Sequence, residues 1–296
     1  MKTNSENLKL SVIIPVYNEE KVIARVINDL KNELEKLNLE YEIIALNDGS
    51  SDKSKEVLEN IAEIKLINHP YNKGYGASLK TGARNAKFDW LLFFDADGQH
   101  KPEYIKDFME YAGEYDMIIG WRQGYQGPAL RQPGKKLLRL VASYLTERKI
   151  PDLNCGFRLL KKDLFFQYEH LFPNGFSLSA TSTLAFLKEG LNVNYVPITI
   201  NKRYGKSYLK MSDGFKTVML IIRLIMLFSP LKIFLPISAA GFIVSITWMI
   251  YDLISSNFFM ISKSSGFIFV ASLLVFLFGL LADQVAAIRR EIKRTK

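Results

Sequence analysis

The sequence predicts an α/β protein built on a mostly parallel sheet, followed by a membrane-spanning pair of helices. Three observations predict it. Up to about residue 210, short β-branched apolar runs alternate with helical patterns. Acidic and polar clusters stand where those runs end. Two later stretches of 19 residues each, Ile233 to Tyr251 and Ser264 to Ala282, carry no charge at all. Strand–helix alternation implies a parallel sheet with helices on both faces.

Strands are expected at Leu10–Val16, Tyr41–Leu46, Ile64–Asn68, Trp90–Phe94 and Asp116–Gly120. Helical patterns separate them at Glu19–Leu37, Asp52–Ile61, Gly76–Ala86 and Pro102–Tyr111. In such sheets ligands gather at the carboxyl ends of the strands, where the strand order reverses. After the first strand comes Pro15-Val-Tyr-Asn-Glu-Glu20, in which Asn18 suits the N-cap of the next helix. After the second comes Asn47-Asp-Gly-Ser-Ser-Asp52, where Asp48 suits a turn. The fourth strand runs straight into Asp95-Ala-Asp-Gly-Gln-His100. Period-two alternation puts Asp95 and Asp97 on one side of the chain. Two close carboxylates repel unless a cation or proton lies between them. Mg²⁺ or Mn²⁺, with a diphosphate, is the partner that such oxygen ligands suit. His100 reads as a structural or supporting residue.

The 296 residues are 48% hydrophobic and 23% charged, which excludes a disordered chain. Mean hydropathy is +0.03 despite 39 Lys+Arg and 30 Asp+Glu, so a polar part and a very apolar part are averaged together. The single cysteine, Cys155, excludes an intramolecular disulfide and a Cys-based zinc cluster, and fits a reducing location. The net charge of +9 is concentrated at residues 128–150, 201–232 and 289–296. These clusters flank the apolar stretches, which argues for anionic lipid and phosphate and against nucleic acid.

At 1.5 Å per residue each uncharged stretch reaches roughly 28 Å, about the thickness of the hydrocarbon layer. Spans of about 231–254 and 264–288 follow, with both termini cytoplasmic by the positive-inside rule. Between residues 214 and 228 lies an apolar segment too short and too charged to span. Lys216 and Arg223 share one of its faces, so an interfacial helix is expected. Met1 to Leu10 is polar, unlike a secretory leader. The expected organisation is a catalytic domain at 1–210, an interfacial helix at 211–229, a hairpin at 230–288 and a basic tail at 289–296. Ala239, Ala240 and Gly241 offer close-packing positions for a homo-oligomer.

Six segments together carry a family resemblance: Ser11-Val-Ile-Ile-Pro-Val-Tyr-Asn-Glu-Glu20, Asn47-Asp-Gly-Ser-Ser-Asp52, His69-Pro-Tyr-Asn-Lys-Gly-Tyr-Gly76, Asp95-Ala-Asp-Gly-Gln-His100, Asn154-Cys-Gly-Phe-Arg158 and Arg203-Tyr-Gly-Lys-Ser207. On these the chain resembles glycosyltransferase family 2, of the GT-A (Rossmann-like) fold. Within it, the polyprenyl-phosphate glycosyltransferases are most similar: dolichyl-phosphate mannose synthases and their bacterial glucosyl-transferring relatives. The resemblance implies that Pro15, Tyr17 and Glu19 line the nucleoside pocket and that Asp48 reads the base or ribose. It implies that Asp95 and Ala96 contact the nucleotide and that Asp97 and Gln99 hold Mg²⁺ or Mn²⁺ on the diphosphate. Arg122, Arg131 and Arg203, with Lys206 or Lys210, would gather donor diphosphate and acceptor phosphate. The charge requirement agrees, because two phosphate-bearing substrates in one cleft need several cations to offset them.

Three departures matter. Asn47 replaces a frequent aspartate. Tyr208 stands where relatives often have lysine, leaving Lys206 and Lys210 as alternatives. Ser179-Ala-Thr-Ser-Thr183 lies where many members carry an acidic general base. A sugar hydroxyl needs that base to remove its proton, whereas a lipid phosphate is already anionic. The expected reaction is therefore inverting, metal-dependent transfer of one sugar to undecaprenyl or dolichyl phosphate. A nucleotide-sugar is the donor, with UDP-hexose preferred to GDP-mannose. A processive polysaccharide synthase would need a channel and usually a Gln-x-x-Arg-Trp motif, and this chain has neither. A non-catalytic nucleotide- or lipid-binding partner protein would have no use for both Asp95 and Asp97.

Overall fold

A computed structural model describes residues 8–37, 39–124, 132–201, 212–255 and 262–291. The chain divides into two compact units, Met1–Phe215 and Lys216–Lys296.

The first unit is built on a seven-stranded sheet of order β3-β2-β1-β4-β6-β5-β7. Its strands are β1 (Lys9–Val16), β2 (Glu40–Asn47), β3 (Lys65–Asn68), β4 (Trp90–Phe93), β5 (Met117–Arg122), β6 (Arg158–Lys161) and β7 (Val193–Ile198). The helices of this unit are α1 (Ile23–Lys36), α2 (Ser54–Glu59), α3 (Tyr75–Asn85), α4 (Ile105–Tyr111), α5 (Gln132–Thr146), α6 (Lys162–Tyr168) and α7 (Leu178–Lys188). β1, β2, β3 and β4 pair in parallel, as the alternation predicts. β1 is almost wholly buried, with Val12, Ile13 and Ile14 at 0% exposure, which explains its continuous rather than alternating apolar run.

β6 has no counterpart among the expected strands. It inserts antiparallel between β4 and β5, and brings the Gly-Phe-Arg segment into the sheet centre. Strand order reverses at β1, with β2 on one side and β4 on the other. The chain leaving β1 at Pro15 and the chain leaving β4 at Asp95 thus emerge side by side, tied by a bond from the Phe94 amide to the Ile13 carbonyl of 3.1 Å.

α1 begins at Ile23 behind an N-cap residue, Val22, that makes no side-chain cap. Asn18 is therefore not the cap its position suggests. It sits at φ 56° and turns its Oδ1 to the Ser51 amide at 2.8 Å, while its own amide donates to Ser50 Oγ at 3.1 Å. The Glu19 amide donates to Ser54 Oγ at 2.8 Å. These bonds staple the β1–α1 loop to the β2–α2 loop.

α5 buries Leu138, Ala142 and Leu145 and exposes Leu137, Leu140 and Tyr144 at 50, 58 and 52%. Each set recurs at helical spacing, so the helix has two apolar faces, one of them outward and beside exposed Lys136 and Arg139.

The second unit contains most of α8 (Ser212–Phe228) and the paired helices α9 (Leu231–Ser255) and α10 (Lys263–Glu291). In α8, Arg223 is exposed together with Val218, Met219, Ile222 and Met226, whereas Ile221 and Leu224 are buried; Lys216 lies outside the described side chains. α9 and α10 are each long and apolar enough to cross a membrane. Their seam is made of small residues seven apart: Ser238 and Ser245 on α9, Ser265, Ser272, Gly279 and Ala286 on α10. The serines bond to their own helices, Ser245 Oγ to the Phe242 carbonyl at 3.1 Å and Ser272 Oγ to the Ile268 carbonyl at 2.7 Å. Along most of the seam the helices thus meet through close packing, and near the turn Ser265 of α10 also bonds Asp252 of α9. Gly241 belongs to this seam: a Cβ there would run into Ser272 Oγ of the same chain. Its smallness is used within the hairpin, whereas Ala239 and Ala240 face outward. Asp252 closes the turn, accepting from the Ser262 amide at 3.0 Å and from Ser265 Oγ at 3.3 Å.

Candidate active site

Along Asp95-Ala-Asp-Gly-Gln-His100 burial alternates strictly. Asp95, Asp97 and Gln99 are half-buried, and Ala96, Gly98 and His100 are buried. The three oxygen-bearing side chains are therefore the accessible ones of this loop, which leaves the sheet beside the end of β1 with half-buried Pro15 and Glu19 and exposed Tyr17. Buried Ala96 is not among them. Asp97 Oδ1 accepts the Gln99 amide at 3.1 Å, which sets the turn.

Asp95 is the most constrained member. Its Oδ1 accepts the Tyr75 hydroxyl at 2.9 Å and its Oδ2 lies 3.2 Å from His100 Nε2. Its side chain is 26% exposed, so one side stays open. Burial alone would raise its pKa, but the His100 bond and charge, the Tyr75 bond and the Arg122 charge together hold it below the usual carboxylate value. Burial, and after it the negative charge of Asp95, push the Tyr75 phenol well up, so it remains a donor. His100 packs between Phe94 and Phe157. A hollow of about 870 Å³, lined by Arg25, Asp29, Gly98, His100 and Glu103 among others, lies behind this loop and does not reach Asp95 or Asp97.

Asp48 is 3% exposed. His69 Nδ1 lies 2.7 Å from its Oδ1, and the amides of Lys73 and Gly74 donate to it at 2.9 and 2.8 Å. Both oxygens of this carboxylate are thus engaged within the protein. It holds the 69–74 loop, which leads directly into Tyr75.

Arg122 ends β5 and forms a two-pronged pair with Asp152, Nε to Oδ2 at 2.7 Å and NH2 to Oδ1 at 3.0 Å. The pair is largely buried, with the two side chains 18 and 13% exposed. Although burial opposes it, the Asp152 bond and charge raise the Arg122 pKa; burial likewise opposes, and Arg122 outweighs, in holding Asp152 low. Asp152 and Tyr75 are site residues that motif reading does not single out, because each acts through a neighbour distant in sequence. Arg131, Arg203, Lys206 and Lys210 lie outside the described residues.

Arg158 is fully buried. Its Nε donates to the Cys155 carbonyl at 3.1 Å, as does NH2. NH1 donates to the Ser179 carbonyl at 2.9 Å, Ser182 Oγ at 2.8 Å and Thr183 Oγ1 at 3.3 Å. The segment expected to lack a general base is thus the turn of α7 that receives this guanidinium, and α7 has no acid in its first turn.

No group of three His, Cys, Asp or Glu able to hold a metal by itself occurs among the described residues. The donor set of the Asp95–Gln99 loop is two carboxylates and one amide, all hard oxygens. That fits Mg²⁺ or Mn²⁺ completing its octahedron with ligands from a bound diphosphate.

A mixed seven-stranded sheet with two carboxylates at the reversal point of its parallel half is the architecture of a nucleotide-dependent transferase of α/β type. The chain belongs to glycosyl transferase family 2, whose model matches residues 11–168, and residues 229–288 match the GtrB C-terminal hairpin. It is 32% identical over 170 residues to the undecaprenyl-phosphate 4-deoxy-4-formamido-L-arabinose transferase of Proteus mirabilis, covering 55% of this chain and 52% of that one. It is 28% identical over 238 residues to the dolichyl-phosphate beta-glucosyltransferase ALG5A of Trichomonas vaginalis, covering 73% and 72%. The chain spans about half the length of the first of these relatives. The glucosyl-3-phosphoglycerate synthase of Mycobacterium tuberculosis, solved with Mn²⁺, UDP and phosphoglyceric acid, has the same fold, with a TM-score of 0.61 at 17% identity over 76% of this chain and 80% of that one.

Proposed function

We propose that this protein transfers a single sugar from a nucleotide-sugar to a polyprenyl phosphate at the cytoplasmic face of a membrane. The observation that carries the reading is the accessible set Asp95, Asp97 and Gln99 of one loop, in a chain that also has a GtrB-type hairpin. The names of the relatives, transferases to undecaprenyl and dolichyl phosphate, support the acceptor class.

Donor diphosphate would lie on Asp97 and Gln99 through Mg²⁺ or Mn²⁺, which when bound supplies charge neutralisation to the leaving group. Asp95, ionised and held by Tyr75 and His100, would fix the donor beside Pro15, Tyr17 and Glu19. Arg122, itself fixed by Asp152, would supply positive charge on the opposite side, with Arg131, Arg203 and Lys206 or Lys210 beside the acceptor phosphate. The phosphate attacks the anomeric carbon in line, the C–O bond to the nucleoside diphosphate breaks, and configuration inverts. The acceptor oxygen carries no proton that must be removed, in keeping with the acid-free start of α7. UDP-hexose is the preferred donor. The exposed apolar stripe of α5, with Lys136 and Arg139, and the outward face of α8 with Arg223 would lie in the head-group region. The hairpin would span the bilayer, with both chain ends on the cytoplasmic side.

The test is product formation by the purified full chain with Mn²⁺ or Mg²⁺ and undecaprenyl phosphate, offering UDP-glucose, UDP-galactose, UDP-GlcNAc and GDP-mannose separately. A lipid-linked monosaccharide that needs the cation and disappears in Asp97→Asn is expected. Nucleotide release without lipid product would overturn the acceptor assignment.

A further inference from the structure

His69 directly follows β3 and is 6% exposed. Its amide donates to the Asn47 carbonyl at 2.9 Å, which keeps the chain registered on the end of β2. Nδ1 lies 2.7 Å from Asp48 Oδ1, and Nε2 lies 3.0 Å from Thr81 Oγ1. A carboxylate only accepts, so Nδ1 carries a proton and donates it. Buried, and with both ring nitrogens bonded inside the protein, His69 has no polar atom to offer a ligand. What its two partners are attached to gives it a use.

Both lead to α3. Thr81 lies on that helix, six residues after its first. Asp48 Oδ2 accepts the amide of Gly74, the N-cap of α3, at 2.8 Å, and Oδ1 accepts the Lys73 amide at 2.9 Å. Gly74 takes this place at φ 101°, where any side chain would be strained. The next residue is Tyr75, whose hydroxyl donates to Asp95 Oδ1 at 2.9 Å. Asp48 is anchored in turn, since its own amide donates to the Val16 carbonyl at 2.8 Å. A line thus runs from His69 through Asp48, Gly74 and Tyr75 to Asp95, from the end of β2 to the end of β4. None of its hydrogen bonds exceeds 2.9 Å. Cap and Thr81 are less than two turns apart on one helix, so holding both fixes where the Tyr75 hydroxyl stands.

Resting on the donor role proposed above for Asp95, we infer that His69 is a positioning residue for glycosyl transfer. Through Asp48 and the start of α3 it sets the Tyr75 hydroxyl that holds Asp95. Asp48 then serves the donor along this line, by holding rather than by contact. A site group displaced by about 1 Å loses on the order of 10²-fold in rate, so support this far from the ligand has a functional effect.

The experiment measures affinity for UDP with Mn²⁺ by calorimetry, and kcat/KM with undecaprenyl phosphate, in wild type, His69→Ala, Tyr75→Phe, the double variant and His69→Asn. A dissociation constant does not scale with the fraction of protein that is folded, so lost stability alone does not move it. His69→Ala and Tyr75→Phe should each weaken UDP–Mn²⁺ binding about tenfold. The double variant should be no more than about twofold weaker than the weaker single, because the effect of His69 runs through the Tyr75 hydroxyl. His69→Asn, whose amide nitrogen takes the place of Nδ1, should bind within about threefold of wild type. His69→Gln, which reaches only the place of Nε2, replaces His69→Ala if that variant does not fold. Losses that multiply in the double variant would overturn the inference. Unchanged binding in His69→Ala would do the same, as would binding by His69→Asn as weak as that of His69→Ala. A wild type that binds UDP with Mn²⁺ but forms no polyprenyl product would overturn the acceptor class, and calorimetry would still decide the role of His69. A wild type that binds no UDP would overturn the donor reading and this inference with it.

Discussion

The carboxylate of Asp95 occupies the space that Gly156 leaves by having no side chain. A Cβ built on Gly156 would stand 2.6 Å from Asp95 Oδ1 and nearer still to Oδ2. The Gly-Phe-Arg segment is therefore the wall against which the Asp95 carboxylate rests, and β6 places that wall beside β4. Gly156→Ala must push Asp95 off its bonds to Tyr75 and His100. A displacement of about 1 Å at a reacting site costs on the order of 10²-fold in rate. We expect kcat/KM to fall at least that far while circular dichroism stays native, and a rate near wild type would show that Asp95 tolerates another position.

Arg158 holds the other end of the same segment. All its hydrogen-bond partners are uncharged carbonyls and hydroxyls, so Arg158→Met leaves the Cys155 carbonyl buried without its donors and takes one donor from the Ser179 carbonyl, which keeps Ser182 Oγ and Thr183 Oγ1. The expected loss is about 2–3 kcal/mol, a fall in melting temperature of roughly 5–10 °C. Arg158→Lys should recover only part of it, because one ammonium cannot reach both carbonyls. A melting curve of each variant in detergent checks this.

The Arg122–Asp152 pair makes stability depend on pH in a defined direction. Asp152 titrates below its ordinary value of 3.8 in the folded protein, so its contribution is present above that value and is lost as pH falls through the lower folded value. Wild type should therefore lose its advantage over Asp152→Asn as pH falls below about 4. At pH 7 the variant should be less stable by about 2 kcal/mol, since Arg122 keeps its charge and loses its partner. Parallel melting-temperature curves for the two proteins across pH 7 to 3 would refute the assignment.

In the hairpin, Gly241→Leu forces a large side chain onto Ser272. It should separate α9 from α10 and reduce the yield of folded protein in detergent, whereas Ala240→Leu on an outward face should be neutral. A cysteine cross-link between positions 245 and 265 or 272, scored in both backgrounds, reads the separation directly.

Much of this protein is decided locally. Strands β1, β2, β4 and β5 are legible because apolar runs bury on both faces and polar clusters stop them, and β3 because its short apolar run falls between two helical patterns. The Asp95 and Asp97 pair is legible because it directly follows an apolar, fully buried strand. The hairpin is legible because no soluble core of this size would hide two such uncharged stretches.

Other features required the chain to be folded. β6 is four residues long and β7 is interrupted by Pro197, too little pattern to read, and each exists because a neighbouring strand offers it a ladder. The use of Asn18 for a loop staple rather than a helix cap depends on Ser50 and Ser51, more than 30 residues on. Asp48 keeps its place at a strand end, yet His69 and two backbone amides take up its charge, which no local pattern announces. Tyr75 and Asp152 are held by partners 20 and 30 positions away. Sequence alone determines which residues are candidates for the chemistry, because period and composition are local. Tertiary structure decides which of them are held, and by what, because hydrogen bonds and packing follow distance in space and not in the chain.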